Sequence, residues 1–318
     1  VSHRRVFHWQ TDTGACHLYR SVYPLTHLDP DRFSCAWGAP GPDIHDYNVV
    51  VAQRLPWQSD LWEGLCRDPA VLAVYDMDDW LLGVDPENTV PYSVHHPLEP
   101  QTRRNVEMAD VVTVSTLRLA ESVYEVNPRV KVLENCLHPS SVEIEPVFDR
   151  QDTVIGWAGS PFHHQDFGGI PEQMQLVRGA LPAASFHSMG GHFLGVPSRH
   201  TPGFMPMDSY LSKLDFTIGI APLMETHFND CKSWCKTLEY ASRGIVPVAQ
   251  KWGQYPDWVA EETNGLLVQG HGDEWFNAIV TLANAPAVRT AMAYANFQKA
   301  REWTIDKHVH KWESVYGG

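Results

Sequence analysis

Short apolar, β-branched runs alternate with segments of helical period along most of the chain. "RRVFHWQ" (4–10), "YNVVVAQ" (47–53), "VLAVYDMDD" (71–79), "DVVTVST" (110–116) and "VKVLENC" (130–136) predict strands. "CHLYRSVYPLTHL" predicts a helix bent or ended near Pro24, and residues 101–109 and "LRLAESVYEV" predict two more. The rhythm stops at "PSSVEIEPVFDRQD" (139–152), a polar stretch with two prolines that suits a linker. It resumes with "TVIGWAGS" (153–160), "ASFHSMG", "DFTIGIAPL" (215–223), "IVPVAQ" and "NGLLVQ" as strands. "PEQMQLVRGAL", "MDSYLSKL" and "DEWFNAIVTLANAP" are the helices between them, and the tail from Ala287 to Tyr316 reads as one long or broken helix.

Strand–helix alternation calls for parallel sheets covered by helices on both faces. The expected fold class is therefore α/β, with two doubly wound Rossmann-like domains facing a cleft. The expected division is 1–145, 146–298 and a separate C-terminal helix over 299–318. Ligands of open α/β sheets bind beyond the carboxyl ends of the strands.

Composition narrows this picture in a few places. A chain of 318 residues exceeds one typical core, which agrees with two domains. The formal net charge of −14 offers no broad basic surface for non-specific polyphosphate binding. Of the six cysteines, only Cys231 and Cys235 lie close, and no second ligand pair stands near them for zinc. Reduced thiols, the lack of an apolar leader and the lack of a run of about 18 apolar residues predict a cytoplasmic protein without a membrane span.

The segment "DCKSWCKTLEYASRG" changes the picture more. On a single helix, Lys232, Lys236, Glu239 and Arg243 fall on one face, with Cys231, Trp234, Leu238 and Ala241 opposite and Gly244 as the stop. The helix follows a strand, so its first N–H groups, near Lys232 and Ser233, would favour a phosphate. Glu239 would lie about 10 Å further along the axis, the span from a diphosphate to a ribose. A carboxylate there can accept from two vicinal hydroxyls. The competing reading of a Lys/Glu stripe is a solvated helix face laced by i, i+4 pairs.

"APLMETHFNDCKSWCKTLEYASRGIVPVAQ" resembles the donor-site segment of GT-B glycosyltransferases of the family-four type, which transfer sugar from a nucleotide sugar with retention. The residues that carry the likeness are Pro222, Leu223, Phe228, Asn229, Lys232, Ser233, Lys236, Glu239, Tyr240, Gly244 and Pro247. "ADVVTVST" with "VKVLENC" is similar to the end of that family's first domain, "VIGWAGS" to the first strand and Gly loop of its second, and "NGLLV" to a late strand; the likeness covers roughly residues 70–280. It implies a donor site of Gly159, Ser160, His163, His164, Asn229, Lys232, Ser233 and Glu239, with Lys236 adding charge against the leaving group. It implies no metal and no cofactor beyond the nucleotide diphosphate sugar, and a tail that returns to brace the first domain. Two departures stand out. The family's first donor-site acid is Cys231 here, and the Arg and Lys usual around the Gly loop are missing from "GSPFHHQDFGG". These departures motivate two alternatives: a degenerate scaffold that acts as a binding or assembly protein, or a sugar-nucleotide epimerase.

Asp76, Asp78 and Asp79 close a strand in "YDMDDW". Asp78 and Asp79 are candidates to position the acceptor. A Mg²⁺ or Mn²⁺ site and a plain helix cap are the competing readings. The loop after the first strand offers Asp12, Gly14 and Arg20 on the acceptor side, or only a strand-to-helix turn. The acceptor class stays open between a glycan, a small molecule and a modified nucleobase. No dinucleotide fingerprint, nucleophile elbow or P-loop occurs in the chain.

Overall fold

The computed structural model describes residues 3–11, 13–203 and 205–317. By contacts the chain divides into two compact units. The first holds the chain up to Cys136, the segment Thr226–Ser233 and everything from Thr304 onward; the second holds Leu137–Glu225 and Trp234–Trp303. The divisions drawn from sequence at 145/146 and 298/299 thus lie at 136/137 and 303/304, and a short internal segment belongs to the first unit.

The first unit is built on β1 (Arg4–Trp9), β2 (Phe33–Gly38), β3 (Val49–Gln53), β4 (Leu72–Met77), β5 (Val111–Val114) and β6 (Val130–Val132). They form one sheet in the order β2-β1-β3-β4-β5-β6, each pair parallel. Val49, Val50, Val51 and Ala52 are fully buried, as a strand covered on both faces requires. The helix Asp60–Arg67 starts on Ser59, whose hydroxyl accepts from the Trp62 N–H, and it lays Trp62 against Tyr75 with ring centroids 6.2 Å apart. The helix after β1 does not stop at Pro24. It runs through a π-helical segment, Leu18–Val22, into Tyr23–His27. A wider turn just upstream accommodates a proline that has no N–H to give.

β1 carries an unusual core residue. His8 is fully buried, and neither ring nitrogen has a hydrogen-bond partner. Burial first, then the charges of His17 and Arg20, pull its pKa down to about 3. The folded state therefore holds His8 neutral. The stability this supports is complete above the unfolded value of about 6.5 and is lost as pH falls from there towards 3. His8→Phe should flatten the fall in unfolding free energy below pH 6.5 by up to about 1.4 kcal/mol per pH unit. His95 and His187, lowered in the same direction by burial, keep a residual slope. Urea titrations at several pH values between 5 and about 7 read this directly, and an unchanged slope would refute it.

The second unit repeats the plan with β7 (Val154–Ala158), β8 (Ser185–Met189), β9 (Arg199–Thr201), β10 (Ile218–Ala221), β11 (Val246–Gln250) and β12 (Leu266–Val268). The order is β12-β11-β10-β7-β8-β9, again parallel. Ile170–Ala180 and Asp273–Asn284 supply Met174, Val177, Trp275, Ile279 and Leu282 to one core cluster with β7, β10 and β11. The tail is broken into Pro286–Arg301, Ile305–His308 and His310–Tyr316. Only its last two pieces lie in the first unit. There Glu313 accepts from the Asp29 N–H at 3.1 Å, and Lys311 pairs with Glu134 at 2.7 Å. No described helix is long and apolar enough to cross a membrane.

Candidate functional site

Strand order reverses between β1 and β3 in the first sheet and between β7 and β10 in the second. The carboxyl ends of these strands are where an open α/β sheet offers a crevice to a ligand. The sequence-predicted residues gather at these ends, in two separate groups.

In the second unit, β7 runs into Gly159 and Ser160. The loop is held by close backbone approach. Gly159 N–H donates to the Met189 carbonyl at 3.1 Å, and a Cβ on Gly190 (φ +86°) would stand 1.9 Å from the Gly159 carbonyl oxygen. Only glycine fits at Gly190. The helix that supplies the cation is Cys235–Ser242. Lys236 is 8% exposed; its ammonium donates to the Ala158 carbonyl and lies 4.9 Å above the Trp157 ring. A Cβ on Gly159 would sit 2.7 Å from Lys236 Nζ, so the ammonium rests directly on the loop backbone. One turn along, Glu239 is 9% exposed and its Oε2 accepts from the Tyr210 hydroxyl at 3.0 Å. Burial and the adjacent Glu239 carboxylate raise the Tyr210 pKa, so Tyr210 stays a donor. A solvated Lys/Glu stripe is therefore ruled out for this helix, which is buried nearly all round.

His163 lies in the turn after Ser160, and its Nδ1 is 2.7 Å from Asp166 Oδ2. Asp166 Oδ1 accepts from the Met224 N–H at 2.9 Å, which fixes the carboxylate. The carboxylate assigns the Nδ1 proton and sets the ring orientation. His164 is exposed, its ring 5.4 Å from that of Phe193. Asp166, Tyr210 and Trp157 were not singled out in the sequence. The signal for Asp166 was an acid three residues after His163; Tyr210 meets Glu239 only through the fold.

The single helix expected over Cys231–Arg243 is not what forms. A short helix, His227–Asp230, ends at Cys231, and the next begins only at Cys235. Lys232 and Ser233 precede that helix and lie in the first unit, so they supply neither its N-terminus nor one face with Lys236 and Glu239. The reason is local anchoring. Thr226 donates to Asn88 Oδ1 at 2.7 Å, the Phe228 N–H donates to Asp85 at 2.7 Å, and the Thr116 hydroxyl donates to the Cys231 carbonyl at 2.9 Å. Cys231 is a member of the first unit's core, and burial pushes its thiol up to about 12, so it is neutral filler. Asn229 is buried in the same segment, its N–H donating to the Thr226 hydroxyl at 3.3 Å.

In the first unit, the carboxyl ends of β3 and β4 bring charges together. Arg54 follows β3 in the left-handed region (φ 50°), and its N–H donates to the Asp76 carbonyl at 2.8 Å. Its guanidinium stands 3.5 Å from Asp78 and 3.7 Å from Asp79. Lys232 Nζ is 3.2 Å from Asp79 and 4.3 Å from the Phe228 ring centroid. Burial alone would raise the Asp79 pKa, but Lys232 and Arg54 hold it down to about 2. Asp79 is ionised at neutral pH and is a weak proton acceptor. Behind this group, Arg20 is buried in a two-pronged pair with Asp76, at 2.6 Å and 3.1 Å. It also donates to the Leu133 carbonyl and to Asn135, which in turn donates to the Ser233 hydroxyl at 3.1 Å. Arg20 is thus a clamp inside the sheet end, not an exposed loop residue. Gly14 caps the short helix Ala15–His17 and is exposed. Asp12 lies outside the described residues. Among the described residues, no group of three or more His, Cys, Asp or Glu side chains is arranged to hold a metal ion.

No protein-family model matches the chain, and no curated protein matches it in sequence. Solved structures do match in shape. HepE from Anabaena in complex with UDP-glucose aligns with a TM-score of 0.70 at 13% identity, over 98% of this chain and 100% of that one. A glycosyltransferase from Rickettsia africae aligns at 0.68 and 8% identity, over 99% and 98% of the two chains. TarM aligns at 0.64 and 12% identity over 85% of this chain, which spans 55% of the TarM chain. Two six-stranded parallel sheets, each wrapped by helices, thus give this chain the fold of GT-B glycosyltransferases, with two Rossmann-like domains in one polypeptide.

Proposed function

We infer that the chain is a glycosyltransferase that moves a sugar from a nucleotide diphosphate sugar to an acceptor hydroxyl, with retention at the anomeric carbon. The observation that carries this reading is the Lys236 ammonium lying on the Gly159 backbone with the Glu239 carboxylate one turn further on. In this reading the diphosphate lies along Gly159 and Ser160, opposite Lys236, and the ribose hydroxyls donate to Glu239. His163, oriented by Asp166, adds a polar contact to the sugar phosphate. The bound UDP-glucose of HepE supports a uridine nucleotide as the first donor to try. When the glycosidic bond breaks, negative charge builds on the leaving diphosphate, and a preorganised cation stabilises that charge more than the ground state. Lys236 supplies it without a divalent ion. Asp78 and Asp79 orient the acceptor hydroxyl, and Asp79, kept ionised by Lys232 and Arg54, does so without accepting its proton.

Lys232 now has a different part from the one its spacing suggested. Its charge is matched by Asp79, so it serves the acidic group of the first unit and is no free counter-ion for phosphate. Calorimetric titration with UDP and UDP-glucose, followed by a transfer assay over a panel of hydroxyl acceptors, tests the reading. Glu239→Ala should weaken UDP binding about 100-fold, since two charge-assisted hydrogen bonds of about 1.5 kcal/mol each are lost. A Kd for every nucleoside diphosphate above the millimolar range, or an alanine variant as tight as the native protein, defeats it. Tight UDP-glucose binding with neither transfer nor hydrolysis would favour a binding protein on this scaffold.

A further inference from the structure

The second unit holds a cavity of about 330 Å³ that the donor reading does not use. It lies at the amino ends of the central strands, opposite the end that carries Gly159. Its walls come from Arg150 before β7, Leu214–Thr217 before β10, Arg243 and Gly244 before β11, and the linker residues Glu145–Phe148. β7 separates this end from the Gly loop by its full length, about 16 Å at 3.3 Å per residue. One ligand cannot touch both.

Most of the charges around this cavity are engaged by the protein itself. Arg150 is engaged by Asp152 at 3.0 Å and by the Asp215 carbonyl at 2.6 Å. Arg289 donates to the carbonyls of Leu282, Ala283, Arg150 and Asp152. The Asp215 carboxylate is taken up by His187 and Arg199. Arg243 differs. It caps the helix Cys235–Ser242, its Nε is buried without a hydrogen-bond partner, and among the described residues no carboxylate pairs with it. Burial of this unpaired guanidinium lowers its pKa. A half-buried guanidinium without a counter-ion is costly, and an anion supplied from outside removes that cost. Much of the remaining wall is apolar, from Val147, Phe148, Leu214 and Phe216, with Ser212, Thr217 and the exposed Glu145 completing it. Val147 is 70% exposed at the rim, where its apolar surface is open to a ligand.

We propose that this cavity binds a small organic anion, with its charged head on Arg243 and its apolar body against Phe148, Phe216 and Val147. The site is independent of the donor reading. It shares one element with it, because Lys236 and Arg243 stand at the two ends of the same helix.

Phenyl phosphate is a suitable probe, with benzyl alcohol as its neutral counterpart, read by saturation-transfer NMR in the presence and absence of excess UDP. Phenyl phosphate should bind saturably with UDP present, and benzyl alcohol should give no transfer. Arg243→Gln and Val147→Glu should each weaken phenyl phosphate about tenfold or more, while the UDP affinity measured separately moves less than about twofold. Val147 is exposed, so its variant reports even if Arg243→Gln disturbs the helix end. Displacement of phenyl phosphate by UDP would assign the probe to the Gly loop and overturn the proposal. So would equal transfer to benzyl alcohol, or Val147→Glu binding the probe as tightly as the native protein.

Discussion

Arg20→Ala should destabilise the first unit by about 3–5 kcal/mol, the largest stability loss expected of any single change in this chain. The pair it breaks has side chains 0% and 3% exposed. Among the described residues, Asp76 would keep only the Thr113 hydroxyl, now 2.7 Å from Oδ1, as a side-chain partner. An uncompensated carboxylate buried at the sheet end is the main cost, and the Leu133 carbonyl and Asn135 Oδ1, each losing the guanidinium, add to it. Urea unfolding followed by a probe of the first unit measures the loss as a drop in midpoint at unchanged slope. Arg20→Met combined with Asp76→Asn removes both charges and should lose far less. If Arg20→Ala alone falls within about 1 kcal/mol of the native protein, the pair is not the clamp described above. The variant also separates structure from chemistry: Asn135 connects Arg20 to Ser233. Disorder of the Thr226–Ser233 segment should accompany the loss and be visible as faster amide exchange there.

Lys236→Met carries the largest expected effect on turnover. Methionine keeps most of the stem's length and deletes the charge. If Lys236 neutralises the leaving diphosphate, kcat should fall about 100- to 1,000-fold, the loss typical of one preorganised donor to a developing anion. KM for the donor should change less, because the interaction strengthens in the transition state. Lys232→Met serves as the contrast. Its partner is Asp79, so its loss should free that carboxylate from the cation that holds it near 2. The expected result is a pH-dependent defect that grows as Asp79 protonates. The Lys236→Met loss should be flat across the same range. Equal and pH-independent losses in both variants would mean that the two lysines act alike, against the division argued here.

Most of the architecture was legible along the chain because buried parallel strands are nearly continuous apolar runs. β3, β4, β7, β10 and β11 each stand out in this way, and the helices between them carry a visible period. The two strands that no pattern indicated, β2 and β9, are both at sheet edges. β2, "FSCAWG", alternates weakly and is partly exposed, and β9 is three residues of mostly exposed polar side chains. An edge strand has one neighbour and less to bury, so its composition is weakly constrained.

By itself, the sequence determined the two-sheet α/β plan, the glycine loop after β7 and the residue types gathered near it. Those depend on periodicity and on local backbone geometry, which act over a few residues. The tertiary structure alone decided which partners these residues met. It interrupted the expected helix over Cys231–Trp234, because Asp85, Asn88 and Thr116 hold the preceding segment in the first unit. It gave Lys232 to Asp79, Lys236 to the Gly159 loop, and Arg20 to Asp76 across 56 residues of chain. Helical spacing cannot reveal such pairings, since a charge's role is set by the carboxylate or carbonyl that reaches it in space.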